Sequence, residues 1–352
     1  MVVLAWAGWT GEIPAASAEV PMNILFVWTG VTSYMADCWR ALASLPDVSL
    51  KIVIEEKNEP GTAFKAEEVL KGLDYRMVLE GEGLDLSLPE GWRPDVMFIV
   101  GWHAKTCRAF ATADEWKKVP KVCVFDMPWQ WKVRKFVARF VLWRYLRHFR
   151  AAFVPGRAAA CYARWLGFRN VQTGLFGIDT QKFAAVERTN LQPYFLYMGR
   201  NSPEKRLDDL RAAYAHYAQK VENPWPLRMI GKGLEGGFVQ PHEIPALVAR
   251  AGALVLASDF DPWPLVIAES CAAGTPVICT ESCTNRFELL RENGDVVKTG
   301  DVAALAAALE RMHRKPPETR LAEGLAGRSL VAPYDCHAWA KRVVEMARKL
   351  IV

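Results

Sequence analysis

Two carboxylates with seven residues between them, Asp261 and Glu269, carry the sharpest chemical signal in this sequence. They lie in residues 258 to 278, SDFDPWPLVIAESCAAGTPVI. Asp261 falls just before a predicted helix and Glu269 two turns into it. One acid can then sit beside an anion at the helix N-terminus, while the other lies along the helix to meet a ribose or sugar hydroxyl. A second group follows an earlier strand, where Gly199 permits a sharp turn before Arg200 and Lys205. A guanidinium and an ammonium there would bind a diphosphate and stabilise charge on a departing group. Cations at a helix start oppose the helix dipole, so a merely solvated basic loop is the poorer reading. Gly231 and Gly233 flank Lys232 in a third turn whose backbone could touch a base or ribose.

The elements that must position these residues follow from apolar runs and their punctuation. Ala253 to Ala257 is short and apolar throughout, the pattern of a buried parallel strand. Asp259 to Trp263 make a loop, Pro264 opens a helix, Gly274 ends it, and Thr275 to Cys279 is the next strand. The helix N-terminus, with the amides near Leu265 and Val266, is then aimed at the carboxyl edge of the sheet, where open α/β sheets bind ligands. Further strands are predicted at Asn23–Trp28, Leu50–Glu55, Asp95–Val100, Lys121–Phe125, Ala151–Pro155, Tyr194–Met198 and Leu227–Ile230. Gly30 follows the first of these and would allow close approach of a ligand, but one glycine is no dinucleotide fingerprint. His103 stands after the third and Asp126 after the fourth, each a candidate site residue, with a packed loop and a helix cap as the structural alternatives.

The motifs resemble the donor-binding segment of retaining GT-B glycosyltransferases, especially glycosyltransferase family 4. That family shows Glu, seven residues, Glu, commonly within E-P-W-G-L or E-G-F-G-L, and then a helix ending A-x-G-x-P-V. This chain reads Asp261, Pro262, Trp263, Pro264, Leu265, then Glu269, Ala273, Gly274, Thr275, Pro276 and Val277. Asp261 is one methylene shorter than the usual Glu, and Pro264 replaces a Gly. The family's G-R-x-x-x-x-K is matched by Gly199, Arg200 and Lys205, and its close of the first domain by Gly177, Ile178, Asp179 and Phe183. The resemblance implies two Rossmann-like domains facing a cleft, an α/β fold with the last helix crossing back to the first domain. It implies transfer of a sugar from a UDP- or GDP-linked donor to a glycan or lipid-linked acceptor with retention at the anomeric carbon. Arg200 and Lys205 would hold the diphosphate, Glu269 the ribose and Asp261 the donor sugar, with Trp263, Leu265, Val266, Gly199, Gly231, Gly233 and Gly30 lining the donor site. No cofactor or metal is implied, although Asp259, Phe260 and Asp261 also spell the D-x-D metal motif of the other large glycosyltransferase fold. That motif belongs early in a single nucleotide-binding domain, whereas here it follows two α/β halves. The alternatives are an epimerase or an inverting transferase, the latter using Asp126 or His103 as base, or a nucleotide-sugar-binding subunit without activity.

Length and composition agree with this plan. A chain of 352 residues, 51% hydrophobic and 24% charged, suits two domains with a sizeable core. The expected divisions are an extension over 1–21, domains over 22–185 and 190–335 with a polar linker at 180–193, and a crossover helix over 336–352. Eight scattered cysteines without a C-x-x-C pair point to reduced thiols in a cytoplasmic protein. Residues 1–21 lack a positive n-region and are broken by Gly11, Glu12 and Pro14, so they read as a start-site extension or loose tail rather than a secretion signal. No apolar span is long enough to cross a bilayer. Residues 130–150 interleave seven Lys and Arg with six aromatic residues, which fits either a peripheral anionic membrane surface or a packed helix with a solvated basic face. A nucleic-acid partner is not expected, since no recognised module surrounds that stretch.

Overall fold

The computed structural model describes residues 21–56, 66–79, 86–188 and 193–351. The chain divides into two compact units, one of residues 1–177 with 336–352, the other of residues 178–335. In the first unit the order is β1 (Met22–Thr29), α1 (Ser33–Ala43), β2 (Val48–Glu56), α2 (Ala66–Val69), β3 (Tyr75–Leu79), β4 (Val96–Val100) and α3 (Lys105–Thr112). It continues with β5 (Lys121–Val124), α4 (Val133–Leu146), β6 (Ala151–Val154), α5 (Arg157–Trp165) and β7 (Val171–Thr173). The second unit holds α6 (Thr180–Ala184), β8 (Phe195–Met198), α7 (Leu207–Ala218), β9 (Leu227–Ile230), α8 (Ile244–Arg250), β10 (Ala253–Leu256) and α9 (Leu265–Ala273). Then come β11 (Val277–Thr280), α10 (Arg286–Leu289), β12 (Gly294–Val297), α11 (Val302–Arg314) and α12 (Pro317–Val331), before α13 (Cys336–Ile351) returns to the first unit.

All strand pairings between named strands are parallel, in the orders β3-β2-β1-β4-β5-β6-β7 and β12-β11-β10-β8-β9. Parallel strands covered on both faces read as continuous apolar runs, and Ile24 to Val27 and Ala253 to Leu256 are buried without alternation. Each order reverses once, between β1 and β4 in the first sheet and between β8 and β10 in the second. At such a switch point neighbouring loops leave the carboxyl edge on opposite faces, opening a crevice.

Local chemistry sets the helix ends. The Asp179 carboxylate accepts from the backbone N–H groups of Gln181 and Lys182 at the start of α6, and Asp301 does the same for Ala304 in α11. Gly274 closes α9 in the left-handed region at φ 77°.

The units part at Gly177–Ile178, ahead of the linker expected over 180–193. Ile178 and Phe183 are the reason: both are buried in the core of the second unit, so the polar composition around them concealed a docked turn of helix. Gly294 begins an edge strand paired with β11, and α12 was not anticipated. The expected tail, residues 1–21, falls almost wholly outside the described residues.

Helix α13 is held by one large side chain. Trp339 is fully buried, its ring lies 5.8 Å from Phe26 and 6.5 Å from Phe153, and its indole N–H donates to Leu175 O at 2.5 Å. Trp339→Ala removes this contact area and strands the Leu175 carbonyl, so the first unit should lose about 3–5 kcal/mol in denaturant unfolding.

Candidate functional site

In the second unit the carboxyl edge is built from four loops. After β8 comes Gly199 to Lys205, after β9 Gly231 to Gly237, after β10 Ala257 to Pro264, and after β11 Glu281 to Asn285. The first two lie back to back: a Cβ on Gly231 would stand 1.9 Å from Gly199 O, and Gly231 sits at φ +154°. Only glycine fits there, because backbone meets backbone. Asn201 Nδ2 donates to Gly233 O at 3.2 Å and ties the same loops at their tips.

Across the β8–β10 switch point, Lys205 Nζ donates to Asp261 Oδ2 at 2.5 Å, with side chains 13% and 9% exposed. Burial raises the Asp261 carboxyl above its ordinary value, while Lys205 and the Trp263 backbone N–H oppose that rise. The Asp261 backbone is fixed as well, donating to Ser282 O and accepting from Thr284 N, a short extension of the β10–β11 pairing. Arg200 is largely exposed, 3.7 Å from Glu204, and free to reach a ligand.

Glu269 stands on the second turn of α9, partly accessible but closely surrounded by protein. Among the described residues it has no hydrogen-bond or ion-pair partner, and burial pushes its carboxyl up to about 7. The first amides of α9, at Leu265 and Val266, belong to the helix end that lacks intrahelical acceptors. Asn285, fully buried, donates from Nδ2 to Pro264 O at 2.8 Å and holds that end in place.

The first unit has its own crevice, at the β1–β4 switch point. A cavity of about 280 Å³ is lined there by Trp28, Thr32, Tyr34, Trp102, His103 and Asp126 among others. His103 is exposed at its mouth, and burial pushes the Tyr34 hydroxyl up to about 12, with Asp126 adding to the effect. Gly30 precedes the cavity wall at φ +70°, its N–H donating to Glu55 O at 3.0 Å.

Residues 192–315 match the family described as Glycosyl transferases group 1. The O-antigen chain mannosyltransferase B of Escherichia coli is 28% identical over 136 residues, 33% of this chain and 35% of that protein. A glycogen synthase of Mycobacterium tuberculosis (strain H37Rv) is 27% identical over 181 residues, 45% of this chain and 44% of that protein. The matches thus span less than half the length of these curated relatives. In three dimensions, Anabaena Alr3699/HepE in complex with UDP and glucose aligns with TM-score 0.69 at 15% identity, covering 94% of this chain and 100% of that one. The chain has the GT-B fold, with a glycosyl transferases group 1 segment.

Within the group 1 segment, the structure brings Arg200, Lys205, Asp261, Gly199, Gly231 and Gly233 to one carboxyl edge, and α9 carries Glu269 away from it. Lys205 and Asp261, expected from sequence to hold diphosphate and donor sugar, also pair with each other. Trp263 is 6% exposed and packs on Tyr334 with ring centroids 5.4 Å apart, so it braces the loop from behind. Nor do the D-x-D carboxylates share a focus: Asp259 faces Arg206 at 4.0 Å, while Asp261 faces Lys205. Sequence reading missed Asn285 and Tyr197, whose hydroxyl donates to Arg200 O at 2.8 Å. Both act on backbone carbonyls, and only the placement of a polar side chain in an apolar setting hinted at Tyr197.

Two outcomes follow from this electrostatics. Lys205→Met leaves Asp261 buried and uncompensated and should cost about 3–5 kcal/mol, most of it recovered in the Lys205→Met/Asp261→Asn double variant, as a denaturation cycle would read. Glu269 has a folded pKa of about 7 above an unfolded value of about 4.3. Its contribution to stability is present below the lower value and is lost as pH rises through the upper one. Glu269→Gln should therefore flatten the fall in Tm between pH 5 and pH 8.

Proposed function

We propose that this chain is a retaining, metal-independent glycosyltransferase that moves a hexosyl group from a UDP- or GDP-linked donor to a glycan or lipid-linked acceptor. The observation that carries this reading is the Glu269 carboxyl, without a partner among the described residues, on the second turn of a helix whose N-terminus begins beside the Lys205–Asp261 pair. A ribose offers two hydroxyl donors to such a carboxylate, and a diphosphate offers oxygens to the α9 amides and to Arg200. Lys205 gives one of its three N–H groups to Asp261 and keeps the others for phosphate oxygens.

In the reaction the bond from the anomeric carbon to the diphosphate oxygen breaks. A bond to the acceptor oxygen forms on the same face, and the acceptor proton passes to the leaving phosphate oxygen. Nucleoside diphosphate and glycoside are the products. Arg200 and Lys205 stabilise the charge that grows on the leaving group. The coarser part of this reading, a glycosyltransferase using a nucleotide sugar, also agrees with the group 1 match and with the UDP and glucose held by the HepE neighbour.

An inverting transferase is the second reading, favoured by one observation: His103 and Asp126 line the same cavity of the first unit, where either could serve as general base.

The test is a panel of UDP, GDP, ADP and CMP sugars with release of nucleotide as the readout. One donor should be turned over, equally well in EDTA, and Arg200→Ala should lower kcat/KM about 10- to 100-fold, the worth of a hydrogen bond to a charged group. Arg200 is the clean variant because it is exposed and unburdened by Asp261. Nuclear magnetic resonance of the first-formed product separates the readings, retention supporting the first and inversion the second. No release and no calorimetric binding of any nucleotide would overturn both.

A further inference from the structure

Helix α4 is apolar on two opposite faces, and the fold covers only one. Lys135, Ala138, Leu142, Tyr145 and Leu146 turn toward the core of the first unit. On the other side Val133, Val137, Phe140 and Val141 recur at helical spacing, with Phe140 and Val141 each 71% exposed, and Trp131 ahead of the helix is 85% exposed. A helix that is hydrophobic all round needs a second cover.

The charge around it says what that cover is. Residues 127–178 contain ten Lys and Arg and no Asp or Glu, in a chain whose net charge is only +5. Among the described residues no carboxylate pairs with Arg134, Arg139, Arg144, Arg147, Arg150 or Arg169. At the C-terminal end of α4 a cavity of about 350 Å³ has Arg147, Arg150 and Arg169 on its rim with Trp143, over a floor that includes Phe149 and Phe168. Arg150 is steadied by donating from Nη1 to Leu350 O at 3.2 Å. The local field is positive: beside these arginines the His148 imidazole is held down by burial and by Lys121, Arg147 and Lys117. Among the described residues no helix is long and apolar enough to cross a membrane, so the face can lie on a bilayer but not span it.

We infer that α4 is a docking face for an anionic phospholipid bilayer, its outer apolar stripe lying among the acyl chains and the arginine-rimmed cavity seating a lipid phosphate. A stripe of Trp, Phe and Val buried at the interface with arginines above it is the arrangement such surfaces use. The helix, about 21 Å long at 1.5 Å per residue, would lie in the plane of the membrane.

Flotation of the full chain with phosphatidylcholine vesicles, and with vesicles containing 30% phosphatidylglycerol (an amount on the order of a natural anionic leaflet), tests this. Binding should require the anionic lipid. Phe140→Glu with Val141→Glu should abolish it without moving Tm, since both side chains are exposed. Arg147→Ser with Arg169→Ser should weaken binding about 25-fold, at about fivefold for each basic residue. Equal binding to both vesicle types, or none to either, would overturn the inference. So would displacement by inorganic phosphate but not by chloride of equal ionic strength, which would make the cavity a site for a soluble phosphate. Sedimentation showing a dimer that the Phe140→Glu/Val141→Glu variant dissolves would overturn it too, since the cover would then be a second copy of the chain.

Discussion

The site in the second unit depends on where the strand order of its sheet reverses. β8 and β10 are neighbours in space though not in sequence, so the loops that follow them leave the same edge in opposite directions and cannot fill the gap between them. What spans that gap is the Lys205–Asp261 pair. Taking both charges out of water is costly, and their attraction offsets the cost only because the geometry is short and the Asp261 backbone is held from both sides by Ser282 and Thr284. The pair thus registers the cation loop against the N-terminus of α9, and with it the exposed Arg200.

Glu269 illustrates the opposite arrangement. Its carboxyl is closely surrounded by protein and, among the described residues, has no ion-pair partner, so its desolvation is unrelieved. A side chain serving stability alone would be better replaced by an apolar one of similar size. A polar ligand that donates hydroxyls would relieve the penalty, so desolvation in the empty state becomes affinity in the bound one. Asp261 and Glu269 therefore differ in kind although the motif presents them as equals: the first is paired with Lys205, whereas among the described residues the second has no ion-pair partner.

Much of this was legible in the sequence because parallel strands and Gly-punctuated turns write themselves in short apolar runs. Ala253 to Ala257, Pro264 and Gly274 located β10 and α9 to within a residue or two, and Gly231, read as a turn residue, proves to be where no side chain could pass Gly199 O. What sequence concealed were relations between segments far apart in the chain. Nothing near residue 205 reveals that Lys205 will meet residue 261, and nothing near Trp263 reveals Tyr334 behind it. Phe183, one buried ring in a polar stretch, packs α6 into the core of the second unit, and composition averages it away.

The first unit repeats the switch-point logic with different side chains. Its cavity is walled by Trp28, Trp102, Phe125 and Phe176, with Tyr34, His103 and Asp126 as its titratable groups. Large apolar walls with few polar groups fix the shape and orientation of a ligand more than its charge. The second unit, by contrast, presents cations, free amides and a lone carboxyl, groups that read charge and hydroxyls. The two sheet edges therefore differ in chemistry, the second unit's presenting charge and hydrogen-bond donors and the first unit's a largely apolar cavity. Sequence motifs are easier to see in the second because charged and glycine positions stand at fixed spacing there, whereas an aromatic-walled cavity can be assembled from many sequences.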